Sequence, residues 1–280
     1  MNNIRKALTN SIISNKVLFT YFLLLRYYLN NTNSKKKRHK NIVMLHAGRT
    51  GSSVIADMLS QHTNIKWNGE IYLDYPKYLT FFTSDPIQFL IYKMYQKHSK
   101  IYGFELKALK NQHLEMFIKL SLEEYLEEIT NLGYSYFIFL KRKNLLRRYI
   151  SIIQMLETNV YHTTKNPVKP RIITINTKNI WINNQKTDLI NYFKILEKEY
   201  DDVQKIIKKY NFLYLSYEED VLANPSIAYK KICKYINVEI QNPKVNLKRT
   251  NPFSIKEVVA NYEEIEMELR NTDYYWMLES

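Results

Sequence analysis

The chain of 280 residues holds a single cysteine, five glycines and seven prolines, and no apolar run near the roughly 20 residues that a membrane-spanning helix needs. One cysteine excludes an intramolecular disulfide and a cysteine-based metal site, which points to a reducing, cytoplasmic setting. That residue, Cys233, falls in an apolar-periodic stretch with Ile227, Tyr229, Ile232 and Ile236, and is expected in the core. The most apolar stretch, residues 17–25 (VLFTYFLLL), is bracketed by Lys16 and Arg26. No small-residue cleavage site follows it, as a signal peptide would require; KKKRHK does. Acidic residues are missing from residues 1–40, which carry nine Lys or Arg, so the rest of the +14 net charge is only +5. Residues 1–40 are therefore read as an amphipathic helix, resting on the body or peripherally on an anionic membrane surface, and a polar linker whose charge run is solvated rather than bound to a polyanion or lipid, ahead of one domain over 41–280. The body is too mildly basic to demand nucleic acid. Tyr, Asn, Ile and Lys abound while Gly and Ala are scarce, a bias that reflects an AT-rich coding sequence rather than a function.

What is present centres on residues 41–61, NIVMLHAGRTGSSVIADMLSQ. Asn41–Leu45 reads as a buried strand, residues 46–53 as a loop, and the following residues as a helix with Ile55, Met58 and Leu59 on one face and Ser52 or Ser53 as its cap. Gly48 and Gly51 permit a tight turn, Thr50, Ser52 and Ser53 add hydroxyls, and Arg49 adds a planar cationic fork. Helix N–H groups and dipole at that point suit a phosphate or sulfate. An ordinary strand-to-helix turn would also carry Gly and Ser. The nucleotide P-loop G-x-x-x-x-G-K-[ST] is absent.

Further strands are expected at Ile65–Trp67, Ile101–Lys107, Tyr134–Leu140, Ile172–Ile175 and Phe212–Ser216, the fourth inside an irregular loop over 157–184. Helices are expected over 112–130 (stopped at Gly133), 187–210, 217–237 (broken at Asn224-Pro225) and 255–269. An aromatic stripe (Tyr78, Phe81, Phe82, Phe89, Tyr92, Tyr95, with Lys93 and Lys97) reads as core or cap, and as a possible acceptor wall. Strand–helix alternation gives an α/β class with a central parallel sheet in a three-layer, P-loop-like arrangement. Glu70 then falls in the loop beyond the second strand, as general base or surface carboxylate with even weight, and Lys107 at the end of the third. The fourth strand runs into a second basic junction with Lys141, Arg142, Lys143, Arg147, Arg148 and Ser151. Arg142 is best placed for a ligand phosphate there, and Arg147 and Arg148 read as exposed helix charges. Lys248-Arg249-Thr250 forms a late basic turn.

These residues together resemble the sulfotransferases that use 3′-phosphoadenosine 5′-phosphosulfate, over about residues 41–279. The resemblance implies that residues 46–53, Gly48, Arg49, Thr50, Gly51, Ser52 and Ser53 among them, bind the 5′-phosphosulfate. It assigns the 3′-phosphate to Arg142 (or Lys143), Ser151, Lys248, Arg249 and Thr250. Arg49 in place of a lysine, Glu70 in Asn68-Gly69-Glu70-Ile71-Tyr72, and the tail over 251–278 are similar to the bacterial carbohydrate, trehalose-type branch. On that likeness Glu70 is the base, Arg49 stabilises the leaving group, Lys107 orients the transferring group, no metal is needed, and the acceptor is a small molecule or glycan. His46 and His162 are more simply structural, with His162 an acceptor contact at most. The rival readings are a small-molecule kinase of related fold, disfavoured without a P-loop Lys-Ser/Thr pair, and a non-catalytic basic protein that binds polyanions or membranes.

Overall fold

A computed structural model describes residues 40–78, 85–95, 100–165 and 169–279, without the side chains of residues 77, 78 and 95. The expectations for residues 1–39, for Phe81, Phe82 and Lys97, and for the side chains of Tyr78 and Tyr95 lie outside the described residues. Strand β1 (Asn41–His46) is the middle strand of a five-stranded parallel sheet. Ile42, Val43, Met44 and Leu45 are all fully buried, as a strand covered on both faces requires.

From β1 the chain forms helix α1 (Ser52–Ser60), β2 (Ile65–Trp67), the short α2 (Tyr75–Tyr78), α3 (Pro86–Tyr95) and β3 (Ile101–Lys107). Next come α4 (Leu122–Asn131), β4 (Tyr134–Lys141) and α5 (Leu145–Thr158). A small hairpin of β5 (Ile180–Ile182) and β6 (Gln185–Thr187) precedes α6 (Leu189–Ile207), β7 (Phe212–Ser216) and α7 (Ser226–Tyr235). Two helices, α8 (Ile255–Val258) and α9 (Tyr262–Leu269), follow. The sheet order is β2-β3-β1-β4-β7, every neighbour parallel. Alternating residues feed two apolar layers. Ile42, Met44, Ile138 and Leu140 pack with Ile55 and Met58 of α1 and Ile232 and Cys233 of α7. Val43, Leu45, Phe137 and Phe139 pack with α4, α5 and α6 on the other face. The three-layer α/β architecture is thus the observed one, with Cys233 in its core. Tyr75 and Phe89 are core residues too, at 1% and 0% exposure, and do not line the cleft described below.

Three expected helices are shorter than their periodicity suggests. Over 112–130, a wide helical turn at Leu114–Ile118 ends at Lys119 in the left-handed region (φ 62°). Helix α4 then restarts on a reciprocal Ser121–Glu124 capping box, which satisfies two N–H groups and so favours a new start. Over 217–237, a similar wide turn at Tyr217–Val221 precedes α7. Over 255–269, Val259 is extended between α8 and α9 because the chain there bridges to Ile173, with Ala260 N–H donating to Ile173 O at 2.8 Å. That single bridge replaces the strand expected at Ile172–Ile175. The β5–β6 hairpin was not expected; its two-residue turn, Asn183-Asn184, has both φ positive (50° and 63°), a conformation asparagine tolerates.

Chain order matters for the site. From β1 the chain goes to edge strand β2, returns to β3, then crosses β1 to β4. The crevice beyond the carboxyl ends of these strands is where ligands bind in open parallel sheets.

Candidate active site

The loop after β1 turns through Gly48 (φ 76°), Arg49 (φ 57°) and Gly51 (φ 82°). A left-handed Arg49 costs on the order of 1 kcal/mol, which the surrounding contacts must hold in place. Gly51 is the cap position of α1 and has no side-chain hydrogen bond, so neither Ser52 nor Ser53 caps the helix. The Ser52 hydroxyl instead serves the buried Glu105 carboxylate. A Cβ on Gly51 would lie 2.7 Å from a ring carbon of Tyr217. Thr50 is fully buried and does not line the cleft, so its hydroxyl is not among the groups a ligand meets there.

The loop is held from beneath by a residue the sequence reading placed outside. Arg148 donates from Nε to Gly48 O (3.1 Å), from Nη2 to Ala47 O (2.7 Å) and from Nη1 to the Tyr192 hydroxyl (3.1 Å). Gln112 adds a third bond to the loop's carbonyls, Nε2 to Ala47 O at 3.0 Å. Arg147 donates to Phe253 O at 2.7 Å. Both arginines are buried, 5% and 7% exposed, and so are not exposed helix charges. Both bond backbone carbonyls distant in sequence, which periodicity cannot anticipate.

Arg49 crosses the cleft floor. It donates to Ser151 Oγ (2.9 Å), Tyr161 O (3.0 Å) and Thr250 Oγ1 (3.2 Å), and so ties the loop to α5, the 157–184 segment and the late basic turn. Arg142 stacks on the Tyr217 ring, 4.4 Å from its centroid, and donates to Arg49 O at 3.1 Å. Lys143 turns away to pair with Glu219 and does not line the cleft. Lys248, Arg249 and Thr250 do line it, and a backbone bridge joins Lys248 to Thr163. Burial and mutual repulsion act on the cations together. Arg49 is lowered by burial and by Arg142 and Arg148, and Arg142 by burial and by Arg249. Arg147 is brought down to about 10 by burial, Arg142 and Arg249.

Across the cleft stands a carboxylate corner. Glu70, just past β2, places Oε2 2.6 Å from Lys107 Nζ and 3.5 Å from His113 Nε2. Burial pushes its carboxyl up, but the His113 Nε2–H turned toward it and the fields of His46 and Lys107 outweigh that and bring it down to about 2. Lys107 runs along Gly48, its Cε only 3.2 Å from where a Cβ would sit. Deeper in, Glu105 lies 3.4 Å from His46 Nε2 and accepts from Trp67 Nε1 at 3.3 Å. His46 and Ser52 hold Glu105 below the usual carboxylate range despite its burial. His162 also lines the cleft, with its ring lowered by burial and by Arg49.

His46, Glu70 and Glu105 place ligand-type atoms within 4.8 Å of one another, as a cation site would. The donor set does not fit one. His46 Nδ1 accepts from Gly48 N–H (3.0 Å) and His113 Nδ1 from Lys107 N–H (3.1 Å), so each neutral ring carries its proton on Nε2, the atom facing the carboxylates. An ammonium already occupies Glu70. The cluster is two imidazole–carboxylate pairs.

The whole cleft has a volume of about 1370 Å³ and brings together Gly48, Arg49, Gly51, Ser52, Ser53, Glu70, Lys107, Arg142, Ser151, Lys248, Arg249 and Thr250. Arg148 was misread as an exposed helix charge, and Gln112, His113, Glu105 and Tyr217 were missed. Glu105 was signalled by a carboxylate inside the apolar strand IYGFELK, and Tyr217 by its place just beyond a strand's carboxyl end. Gln112 and His113 lie in an irregular turn and carry no sequence signal.

No family model matches the sequence, and no curated protein matches it. Among solved structures, the chain is similar to a sulfotransferase from Alicyclobacillus acidocaldarius, with 11% identity, a TM-score of 0.43, and coverage of 76% of this chain and 86% of that one. It is also similar to mouse sulfotransferase SULT7A1 complexed with PAP, with 14% identity, a TM-score of 0.42, and coverage of 87% of this chain and 88% of that one.

Proposed function

We propose that the protein transfers a sulfuryl group from 3′-phosphoadenosine 5′-phosphosulfate to a hydroxyl of an acceptor, with a carbohydrate or other glycan as the favoured class. The observation that carries this reading is the crowding of Arg49, Arg142, Arg147 and Arg249 beside a helix N-terminus without a side-chain cap, opposite Glu70. Cations that repel one another are stabilised by a multiply charged anion, and the donor nucleotide carries charge at both its 3′ and 5′ ends. The loop and start of α1 would hold the phosphosulfate, and Arg142, Ser151 and Lys248–Thr250 the 3′-phosphate. A cleft of about 1370 Å³ exceeds the roughly 300–1,000 Å³ of a single small-ligand pocket and leaves room for an acceptor.

In the proposed step the acceptor oxygen bonds to sulfur as the bond from sulfur to the bridging phosphate oxygen breaks. The acceptor's proton passes to Glu70, and adenosine 3′,5′-bisphosphate leaves. Glu70 is ionised throughout the neutral range, since its carboxyl is near 2. Lys107, which contacts Glu70 in this structure, would shift toward the sulfuryl oxygens and restore basicity to the carboxylate as it does so. Arg49 and the loop N–H groups are the fixed donors for charge building on the leaving oxygen.

The test is transfer of labelled sulfate from the donor across a panel of hydroxyl acceptors, beside calorimetry with adenosine 3′,5′-bisphosphate and AMP. Glu70→Gln is expected to lower turnover by 10²- to 10⁴-fold while leaving bisphosphate affinity near wild type. Equal affinity for AMP and the bisphosphate, with no transfer to any acceptor, would overturn the reading.

A further inference from the structure

We infer that His113 is a positioning residue for Glu70: its ring, fixed through Nδ1, directs Nε2–H to Oε2 and leaves Oε1 as the atom that takes the acceptor's proton. The catalytic consequence rests on the sulfuryl-transfer reading; the geometry does not.

His113 is 2% exposed, and its ring packs near Tyr72 and Phe117, with centroids 6.3 and 6.0 Å away. The backbone N–H of Lys107 donates to Nδ1 at 3.1 Å, so the neutral ring holds its proton on Nε2. That Nε2 has no closed hydrogen bond among the described residues, and Glu70 Oε2 lies 3.5 Å away. Such bonds are often long without substrate and tighten when the reacting group is seated. Lys107 Nζ contacts the same Oε2. Both groups therefore face the same oxygen of the carboxylate, Lys107 in contact and His113 one short shift away.

His113 is not itself the base. Accepting a second proton would place one on Nδ1 and break the bond to Lys107 N–H. Burial also holds the ring below its usual value, against the pull of Glu70, while Lys107 and His46 oppose a further charge. The imidazole stays neutral as Glu70 takes the proton. Glu70 is faced by Lys107 on β3, His113 just beyond it, His46 on β1 and, more distantly, Glu105 on β3 and His162 of the 157–184 segment. A donor to the ionised carboxylate favours that form, so removing it must raise the pH at which Glu70 protonates.

Two substitutions separate this role from simple packing. His113→Asn keeps an acceptor for the Lys107 N–H but loses the reach to Glu70, whereas His113→Gln can extend an amide N–H to it. The primary readout is the Glu70 carboxyl titration followed by NMR in glutamate-labelled, nucleotide-free protein, with thermal unfolding run alongside. His113→Asn is expected to move the midpoint up by at least one pH unit, and His113→Gln to recover most of that shift. With the donor substrate present, the acid limb of kcat/KM should move the same way, kcat at pH 7 should fall at least tenfold in His113→Asn, and nucleotide KM should stay within threefold. An unmoved Glu70 midpoint in His113→Asn, or equal midpoints in the two variants, overturns the inference. If the wild-type protein transfers no sulfuryl group, the functional reading fails and the titration alone decides the role of His113.

Discussion

Two strand-to-helix junctions meet at the cleft, β1–α1 and β4–α5, and their helix starts are treated in opposite ways. At the first, the cap position is Gly51 in the left-handed region with no side-chain bond, so the positive end of α1 is offered to an external anion. At the second, Asn144 caps α5 by accepting from Arg147 N–H (2.8 Å). The Glu218 carboxylate there accepts the N–H groups of Lys143 (3.0 Å) and Asn144 (2.9 Å). The protein's own carboxylate already fills the place an anion would take. What the second junction contributes to the cleft is therefore side chains, Arg142 bonded to the Arg49 carbonyl and Arg148 to those of Ala47 and Gly48. An open start supplies backbone donors fixed by the fold, and a closed one supplies guanidinium groups whose reach does not depend on the helix dipole.

The contrast is broken most severely at Gly51. Gly51→Ala introduces a Cβ 2.7 Å from the Tyr217 ring at a φ of 82°. Loop or ring must shift, at a cost of roughly 1–3 kcal/mol in stability. Because the donors of the first junction are backbone groups, that shift should also weaken binding of adenosine 3′,5′-bisphosphate by at least ~100-fold, about 2.7 kcal/mol. Calorimetry on the folded variant checks it; unchanged affinity would mean the open start of α1 is not the anion site.

At the second junction the loss should be confined to one end of the nucleotide. Arg142→Ala removes a charge-assisted contact worth about 1.5–3 kcal/mol, or roughly 10- to 150-fold in bisphosphate affinity. AMP, which lacks the 3′-phosphate, should bind the variant and the wild type nearly alike. A parallel loss for both ligands would show that Arg142 supports the loop through Arg49 O rather than reading the 3′ end.

How much of this was legible follows the same division. The first junction is written locally: an apolar run, two glycines among only five in the chain, and hydroxyls opening a helix. Strand ends are equally local, which is why position alone put Glu70, Lys107 and Arg142 at the crevice whose cleft they line, while leaving the role of Glu70 open. Arg147 and Arg148 were misread because an arginine that bonds distant carbonyls looks, in sequence, like one facing water. Gln112 and His113 sit in a turn whose shape depends on Lys119 reversing the backbone and on Ser121 restarting the helix, so spacing gave no hint of their direction. The helix over 255–269 failed for a related reason: Val259 is claimed by a bridge to Ile173, a residue 86 positions away.

The smallest effect is the most discriminating about sequence. Lys143 stands next to Arg142 and matches the expected spacing to Ser151 equally well, yet its side chain is 43% exposed and pairs with Glu219, itself 62% exposed. Ion pairs at such exposure contribute about 0–1 kcal/mol, because water screens them and two long side chains must be ordered. Its backbone N–H, which reaches Glu218, survives any substitution but proline. Lys143→Ala should therefore leave bisphosphate affinity within about twofold of wild type and shift stability by less than about 1 kcal/mol, read by calorimetry and by thermal unfolding at low and high salt. A tenfold loss of bisphosphate affinity in Lys143→Ala, with AMP unaffected, would put the 3′-phosphate on the outer side of β4 and assign the second junction's reading cation to Lys143.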